Sequence, residues 1–177
     1  MKVWSVALRA LAAATMIAYP AFVWLGLSSG SPRQVAIVLL ALMTPAYLLR
    51  RSKLQRSSGV GLAAVPLTIL GLLVVSAVFD GADFIRATPV AANVVLLISF
   101  GATLRRGSVP MIERFARLQE PDLDEPKQAW CRAWTKIWCA FFVANGAVAL
   151  ALAALADLRT WALYNGGIAY ALIGALF

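Results

Sequence analysis

The fold is decided by the segment from Arg105 to Phe142, which reads RRGSVPMIERFARLQEPDLDEPKQAWCRAWTKIWCAFF. This long segment is neither continuously apolar nor a short turn. Apolar runs of about 15 to 20 residues lie on both sides of it, and a helix needs about 20 residues to cross a bilayer core of roughly 30 Å. The segment is therefore a polar connection in a chain that otherwise has the pattern of a membrane protein.

The composition excludes an ordinary soluble globule. The 177 residues are 62% hydrophobic and 14% charged, with a mean hydropathy of +0.80, which leaves too little polar side chain to cover a water-soluble surface. Backbone groups in lipid must pair within their own segment, so the apolar runs are predicted to be helices. The predicted fold class is all-α: one transmembrane domain over residues 1–177, a polytopic bundle of about six helices with a short interfacial helix. The predicted spans are Ala10–Leu27, Val35–Leu49, Val60–Phe79, Thr88–Leu104, Ile137–Ala156 and Trp161–Phe177.

The orientation follows from the loops that carry Lys and Arg. Thirteen of these residues fall in one alternating set of segments: Lys2, Arg9, Arg50, Arg51, Lys53, Arg56, Arg105, Arg106, Arg114, Arg117, Lys127, Arg132 and Lys136. The opposite set holds Arg33, Arg86 and Arg159. The count predicts a multi-pass protein of the bacterial inner membrane with both termini and the loop 105–136 in the cytoplasm. The net charge of +8 is then explained by topology and by anionic lipid headgroups as partners, and nucleic-acid binding is not expected.

The first apolar run resembles a secretory signal in having Lys2 and Arg9 before it and small residues after it. It is longer than the usual signal core, it lacks an A-x-A cleavage site, and it contains Pro20. We interpret it as a retained first helix.

The central segment divides into three parts. VPMIERFARL, from Val109 to Leu118, places apolar side chains on one helical face and charged ones on the other, which predicts a short helix on the cytoplasmic interface. QEPDLDEPKQ forms an acidic turn between Pro121 and Pro126, and Asp124 or Glu125 begins the next helix. Three tryptophans then repeat every four residues; two are expected in the headgroup layer and the third against a neighbouring helix. The predicted interaction surface comprises Met111, Ile112, Arg114, Phe115, Arg117, Asp122, Asp124, Trp130, Trp134 and Trp138.

Catalysis is not expected. The chain has no histidine, which removes Ser-His-Asp and Cys-His nucleophiles and histidine metal sites, and it has no glycine-rich phosphate loop or zinc pattern. We therefore predict no catalytic, metal or cofactor-binding residue and no cofactor. The remaining enzymatic alternative is an acid/base site built from Glu113, Arg117, Glu120, Asp122 and Asp124.

The asparagines of the apolar runs, Asn93, Asn145 and Asn165, are predicted to hydrogen-bond between helices. Ionisable groups deep in a span usually mark a proton or ion pathway, and none lies there in this sequence.

Residues 80–177 resemble a small bacterial inner-membrane family whose members are often encoded among aryl-polyene or fatty-acid-like pigment biosynthesis genes, and more distantly the intracellular septation protein A family. The residues that carry the likeness are Phe84, Ile85, Pro89, Asn93, Ile112, Arg114, Trp134, Trp138, Phe141, Phe142 and Trp161. The resemblance implies the architecture and the inner membrane. The label of ketosynthase sometimes given to that family does not suit this chain, because such an enzyme needs histidines and a large soluble fold.

Besides the enzymatic alternative, two functional hypotheses remain open at this point. The first is a non-catalytic accessory or scaffolding component of a membrane-associated lipid, polyene-pigment or envelope pathway, with a protein partner bound at the loop 105–136. The alternative is a transporter or flippase for a lipid or small hydrophobic molecule, which requires a cavity between helices.

Overall fold

The computed structural model describes residues 22–176, except for the side chains of residues 46 and 49–63. The described backbone is helical with short turns and contains no strand, which confirms the all-α prediction. Helix α1 is described over 22–29. The greater part of the predicted first span, the cations Lys2 and Arg9, and the end of the sixth span at Phe177 lie outside the described residues.

Helix α2 (Pro32–Phe79) begins at a capping box, in which the Ser31 and Gln34 side chains each accept a hydrogen bond from the other residue's backbone N–H. A straight helix of 48 residues would be about 70 Å long. The two ends nevertheless touch, because the Arg33 N–H donates to Asp80 Oδ1 at 2.7 Å and Arg33 Nε donates to the Ala77 carbonyl at 2.8 Å. The chain therefore reverses direction within α2.

The hydropathy pattern predicts two spans and a basic loop over this region. The helical assignment shows no break at the predicted loop around residues 50–59, while the contact between the two ends agrees with two antiparallel segments. Pro45 and Pro66 lie inside the assigned helix. The side chains of Arg50, Arg51, Lys53 and Arg56 lie outside the described part.

Helices α3 (Ala82–Arg86) and α4 (Thr88–Ala102) follow the left-handed turn at Asp80 (φ 53°). After a turn at Gly107 (φ +79°) the chain forms the short helix α5 (Met111–Ala116) and then α6 (Glu125–Leu155). Asp124 caps α6 by accepting from the Lys127 N–H at 2.9 Å, which confirms the predicted start of this helix. The apolar run alone had suggested a span from Ile137.

Helices α4 and α6 are antiparallel neighbours. Arg86, just before α4, contacts the Ala156 carbonyl at one end; Asn93 contacts Asn145 near the middle; and Leu104 contacts Arg132 at the other end. Helix α2 packs on α4, and α5 packs on α6.

The C-terminal rod comprises α7 (Leu158–Leu163), a π turn (Tyr164–Ile168) and α8 (Ala169–Leu176). Asp157 caps it by accepting from the Thr160 N–H and hydroxyl, and these hydrogen bonds lower the pKa of the Asp157 carboxyl below its usual value of 3.8. Trp161 lies near Arg86, and Ile173 packs at the opposite end of α4 and α6. The rod therefore runs antiparallel to α6.

The core has two apolar clusters separated by a polar layer. The first joins α1, α2, α3 and α7 through Val23, Val35, Ala36, Leu39, Leu73, Ile85, Trp161 and Ala162. The second joins α4, α5 and α6 through Phe100, Met111, Trp138 and Phe142. Trp161 is fully buried, so the end of the bundle near Arg86 is closed by a large aromatic side chain.

Within the described residues, α6 is the helix whose length and composition allow it to cross a membrane. Only 22% of its apolar window is buried, which is a small share for a helix in the core of a soluble protein. Three shorter apolar helical segments accompany it: Pro32–Pro45, Ala64–Phe79 and Thr88–Ala102. The predicted number of six spans stays a prediction.

Candidate functional site

The segment 105–136, which we call the α5 cap, comprises the connection between α4 and α6 together with the first three turns of α6. The N-terminus of α5 follows Pro110, which supplies no side-chain acceptor. Instead, the Met111 N–H donates to Thr103 Oγ1 at 2.9 Å and the Ile112 N–H donates to Thr135 Oγ1 at 3.2 Å. Each hydroxyl also donates to a carbonyl one turn earlier in the chain, at 2.6 and 2.8 Å. Two otherwise unpaired helix N–H groups are thereby satisfied by neighbouring helices.

A buried carboxylate holds the far end of α5. Glu113 is 5% exposed, and its Oε1 accepts from Arg117 Nε at 2.9 Å and from Arg117 Nη2 at 2.7 Å. Arg117 Nη1 donates in addition to the Pro121 carbonyl at 2.8 Å. Because Arg117 binds both the helix and the following turn, it fixes the direction in which the chain leaves α5.

The acidic turn that follows is stabilised by its own charges. Glu120 pairs with Lys127 at 2.6 Å, and Asp124 accepts the capping hydrogen bond of α6. The Gln128 side chain donates to the Leu123 carbonyl at 2.7 Å, and Leu123 is buried beneath the turn. Asp122 is exposed.

The three tryptophans of α6 differ in environment. Trp130 is 59% exposed and contacts half-buried Trp134, with ring centroids 5.3 Å apart. Trp138 is 7% exposed and packs against Phe100 and Phe142. The prediction that Trp138 packs against a neighbouring helix is confirmed.

The predicted interaction surface is thus divided between the interior and the exterior. Met111 and Trp138 are buried in the second core cluster, so they support the α5 cap from below and offer no surface to a partner. The half-buried members are Ile112, Phe115, Arg117 and Trp134, and the exposed members are Arg114, Asp122, Asp124 and Trp130. Leu118, which was expected on the apolar face of α5, is 66% exposed.

Two arginines close the ends of the α4–α6 pair. Arg132 Nη2 donates to the Leu104 carbonyl at 2.6 Å, just past the C-terminus of α4. Arg86 Nη2 donates to the carbonyls of Leu152 and Ala156, at 3.0 and 2.5 Å, at the C-terminus of α6. Cations near the last carbonyls of a helix interact favourably with its dipole. From the sequence these arginines were predicted to have only a topological role, because contacts across 28 and 70 residues leave no local signal.

A polar layer crosses the bundle between the two apolar clusters. Asn145 Nδ2 donates to Asn93 Oδ1 at 3.1 Å, and the Tyr164 hydroxyl donates to Asn145 Oδ1 at 2.9 Å. Both asparagines are 7% exposed. The predicted hydrogen bond between helices is confirmed for this pair, whereas the Asn165 Nδ2 donates within its own helix to the Trp161 carbonyl. Gly146 allows the close approach, since a Cβ there would lie 3.1 Å from the Asn93 Cβ.

Three of the four acidic residues considered for acid/base chemistry are engaged elsewhere, and the fourth, Asp122, is exposed. Glu113 pairs with Arg117, Glu120 pairs with Lys127, and Asp124 caps a helix. In the part of the chain that the structure describes, no three Cys, Asp or Glu side chains converge as metal ligands would. The arrangement is that of a supported surface that presents exposed apolar and charged groups.

Comparison with protein-family models, with curated proteins and with solved structures finds no match for the chain. The resemblance to the pigment-cluster and septation families therefore remains a prediction from the residues quoted above.

Proposed function

We propose that the chain is a multi-pass protein of the bacterial inner membrane that acts without catalysis, as an accessory or scaffolding component, and that the α5 cap is its cytoplasmic docking face for a protein partner. The orientation rests on the thirteen-to-three distribution of Lys and Arg.

The spacing of the arginine contacts supports the membrane placement. Arg132 and Leu152, which mark the two ends of the α4–α6 pair, are separated by 20 residues of α6. At 1.5 Å per residue this is about 30 Å, the thickness of a bilayer hydrocarbon core. The C-terminal rod beside them is long enough, at Leu158–Leu176, to cover about the same distance.

The observation that carries the docking role is the construction of the α5 cap. A connection between two antiparallel helices needs only a few residues. Here the connection contains a helix of its own, tied to both neighbours through Thr103 and Thr135 and closed by the pair of buried Glu113 with half-buried Arg117. Such a structure costs conformational entropy that a topological loop does not require. It holds the exposed Leu118 and Trp130 outside the core, where a partner can reach them.

The test is capture of partners from native membranes with variants that change only the surface. Leu118→Ser combined with Trp130→Ser removes two exposed apolar side chains and leaves buried Met111 and Trp138 in place. We expect the soluble proteins that co-purify with the native chain to be reduced at least about tenfold, as is typical when hot-spot side chains are truncated.

The matched control is Leu155→Ser combined with Leu163→Ser, which removes two side chains of 87% and 65% exposure at the other end of the bundle. This control should retain the co-purifying proteins. Equal capture by both variants and the native chain would contradict the docking role. Recovery of the native chain in the soluble fraction after alkaline extraction of membranes would contradict the membrane placement itself.

The pathway served by this surface is inferred from the family resemblance. It predicts that the captured proteins include carrier or synthase components of lipid or pigment assembly. An envelope or cell-division partner would instead favour the more distant septation resemblance.

A further inference from the structure

An uncompensated group of cations lies where α4 ends beside α6. Arg105 and Arg106 follow Leu104 directly, and Leu104 accepts from Arg132. Lys136 is one helical turn, about 6 Å, from Arg132 towards the middle of α6. Arg105, Arg106 and Lys136 are exposed, so three cationic side chains reach solvent or lipid near the α4–α6 junction.

These cations have no acidic partner. The ion pairs among the described residues are Glu113–Arg117, at α5, and Glu120–Lys127, between the acidic turn and the first turn of α6. Glu125, the first residue of α6, is 11 residues before Lys136, or about 16 Å along the helix. The cation group therefore creates a positive potential that no ion pair among the described residues neutralises, and this potential attracts anions.

An apolar surface continues from the cations along both helices. Val143 and Leu150 follow Lys136 at intervals of seven residues, which keeps all three on one side of α6, and they are 55% and 58% exposed. On α4, Ile98 and Val94 lie four residues apart, on one side of the helix, and are 64% and 48% exposed. A ligand with an anionic head and long hydrocarbon chains matches this combination, since its head meets the cations while its chains follow the helices.

We propose that Arg105, Arg106 and Lys136 form a binding site for the phosphate headgroup of an anionic phospholipid in the cytoplasmic leaflet, with its acyl chains along the exposed faces of α4 and α6. This inference rests on the proposed membrane placement and is independent of the protein docking role. Arg132 lies within reach of the site, but it also stabilises the fold through its hydrogen bond to the Leu104 carbonyl. Basic clusters between transmembrane helices on the cytoplasmic side are a known mode of anionic lipid recognition.

The experiment is native mass spectrometry of the full chain released from nanodiscs that contain equal amounts of phosphatidylglycerol and phosphatidylcholine. We expect the native chain to retain phosphatidylglycerol in preference. The variant Arg105→Gln, Arg106→Gln, Lys136→Gln should lose this preference. Each cation near a membrane surface contributes roughly a factor of five in affinity, so the loss for three is about a hundredfold.

Two controls separate a site from a general charge effect. Arg105→Lys with Arg106→Lys and Lys136→Arg keeps the charges and should retain the lipid. Arg114→Gln with Arg159→Gln removes two exposed cations elsewhere and should also retain it. Circular dichroism checks that every variant keeps its helical content, and Lys136→Gln alone, with an expected loss of about fivefold, replaces the triple variant if that variant unfolds.

Three results would overturn the proposal. They are equal retention of both lipids by the native chain, equal loss in the Arg114/Arg159 control, and unchanged retention in a folded Gln variant. A native chain that does not assemble into nanodiscs at all would refute the membrane placement, and with it the premise of the site.

Discussion

The two ends of the α4–α6 pair use the same chemical device in different surroundings. At each end an arginine donates to the last carbonyls of the opposite helix: Arg86 to α6 and Arg132 to α4. The Arg86 end is closed by buried Trp161, and only Ala156 and Asp157 separate α6 from α7. The Arg132 end carries the α5 cap, with exposed apolar and cationic groups. The proposed docking role assigns different tasks to the two ends, with stability at the Arg86 end and contact with partners at the Arg132 end.

The largest expected effect comes from replacing one tryptophan at each end of the pair with alanine. Trp161 is fully buried in the first core cluster and donates from Nε1 to the Arg86 carbonyl at 3.2 Å. Trp161→Ala is expected to lower the free energy of unfolding by about 4 kcal/mol through the cavity it leaves. Trp130→Ala, at a 59% exposed position, should cost less than about 1 kcal/mol.

Unfolding in mixed detergent micelles, followed by circular dichroism, measures both values. Similar losses for the two variants would show that the ends do not differ in the proposed way.

The arginines provide a second and smaller contrast. Arg86→Gln removes hydrogen bonds to two carbonyls, and Arg132→Gln removes one. A hydrogen bond to a charged group contributes roughly 1.5 kcal/mol or more, so we expect losses of about 3 and about 1.5 kcal/mol. Among the described residues, Arg86 Nε is the buried side-chain nitrogen that lacks a hydrogen-bond partner. The cost of desolvating this atom would reduce the loss of stability expected for Arg86→Gln.

Chemical unfolding of the two glutamine variants under one set of conditions measures both losses of stability. A larger loss for Arg132→Gln than for Arg86→Gln would reverse the assignment of the stabilising end.

The smallest expected effect is a loss of thermal stability in acid that arises at Asp157, the N-cap residue of α7. Hydrogen bonds from Thr160 lower the pKa of the Asp157 carboxyl, so its stabilising contribution is present above the ordinary value of 3.8 and is lost as the pH falls through the lowered value. The native chain should therefore lose thermal stability in that acidic range relative to Asp157→Asn, which caps the helix without titrating. Melting curves between about pH 7 and about pH 2 test this. Parallel pH profiles for the two proteins would exclude the linkage.

The sequence predicted the parts of this fold that depend on local composition. The all-α class, the short α5 helix and the start of α6 near Asp124 could be identified because apolar runs, proline positions and capping residues act over a few residues. The hydropathy pattern alone marks only the apolar part of α6, from Ile137, since the first three turns of the helix carry charges and tryptophans.

The candidate site was harder to predict, because it depends on contacts distant in sequence. The amphipathic pattern of α5 predicted the inward position of Met111, but it wrongly placed Leu118 on the buried face and Glu113 on the exposed face. Likewise the Arg86 and Arg132 contacts depend on how α4 and α6 are aligned. The pairing of Asn93 and Asn145 was anticipated because a buried amide between apolar helices needs a partner, whereas the participation of Tyr164 was not.

The π turn at Tyr164–Ile168 corrects a mismatch between residue spacing and helix geometry. The inward-facing residues of the C-terminal rod, Trp161, Asn165, Ala169 and Ile173, recur every four residues. In a regular α-helix each such step rotates the stripe by about 40°, so three steps would carry Ile173 about 120° away from the direction of Trp161. A turn closed by i→i+5 hydrogen bonds contains more residues per revolution and cancels part of this drift. The inward-facing residues of the rod therefore stay closer to one line than they would in an uninterrupted α-helix.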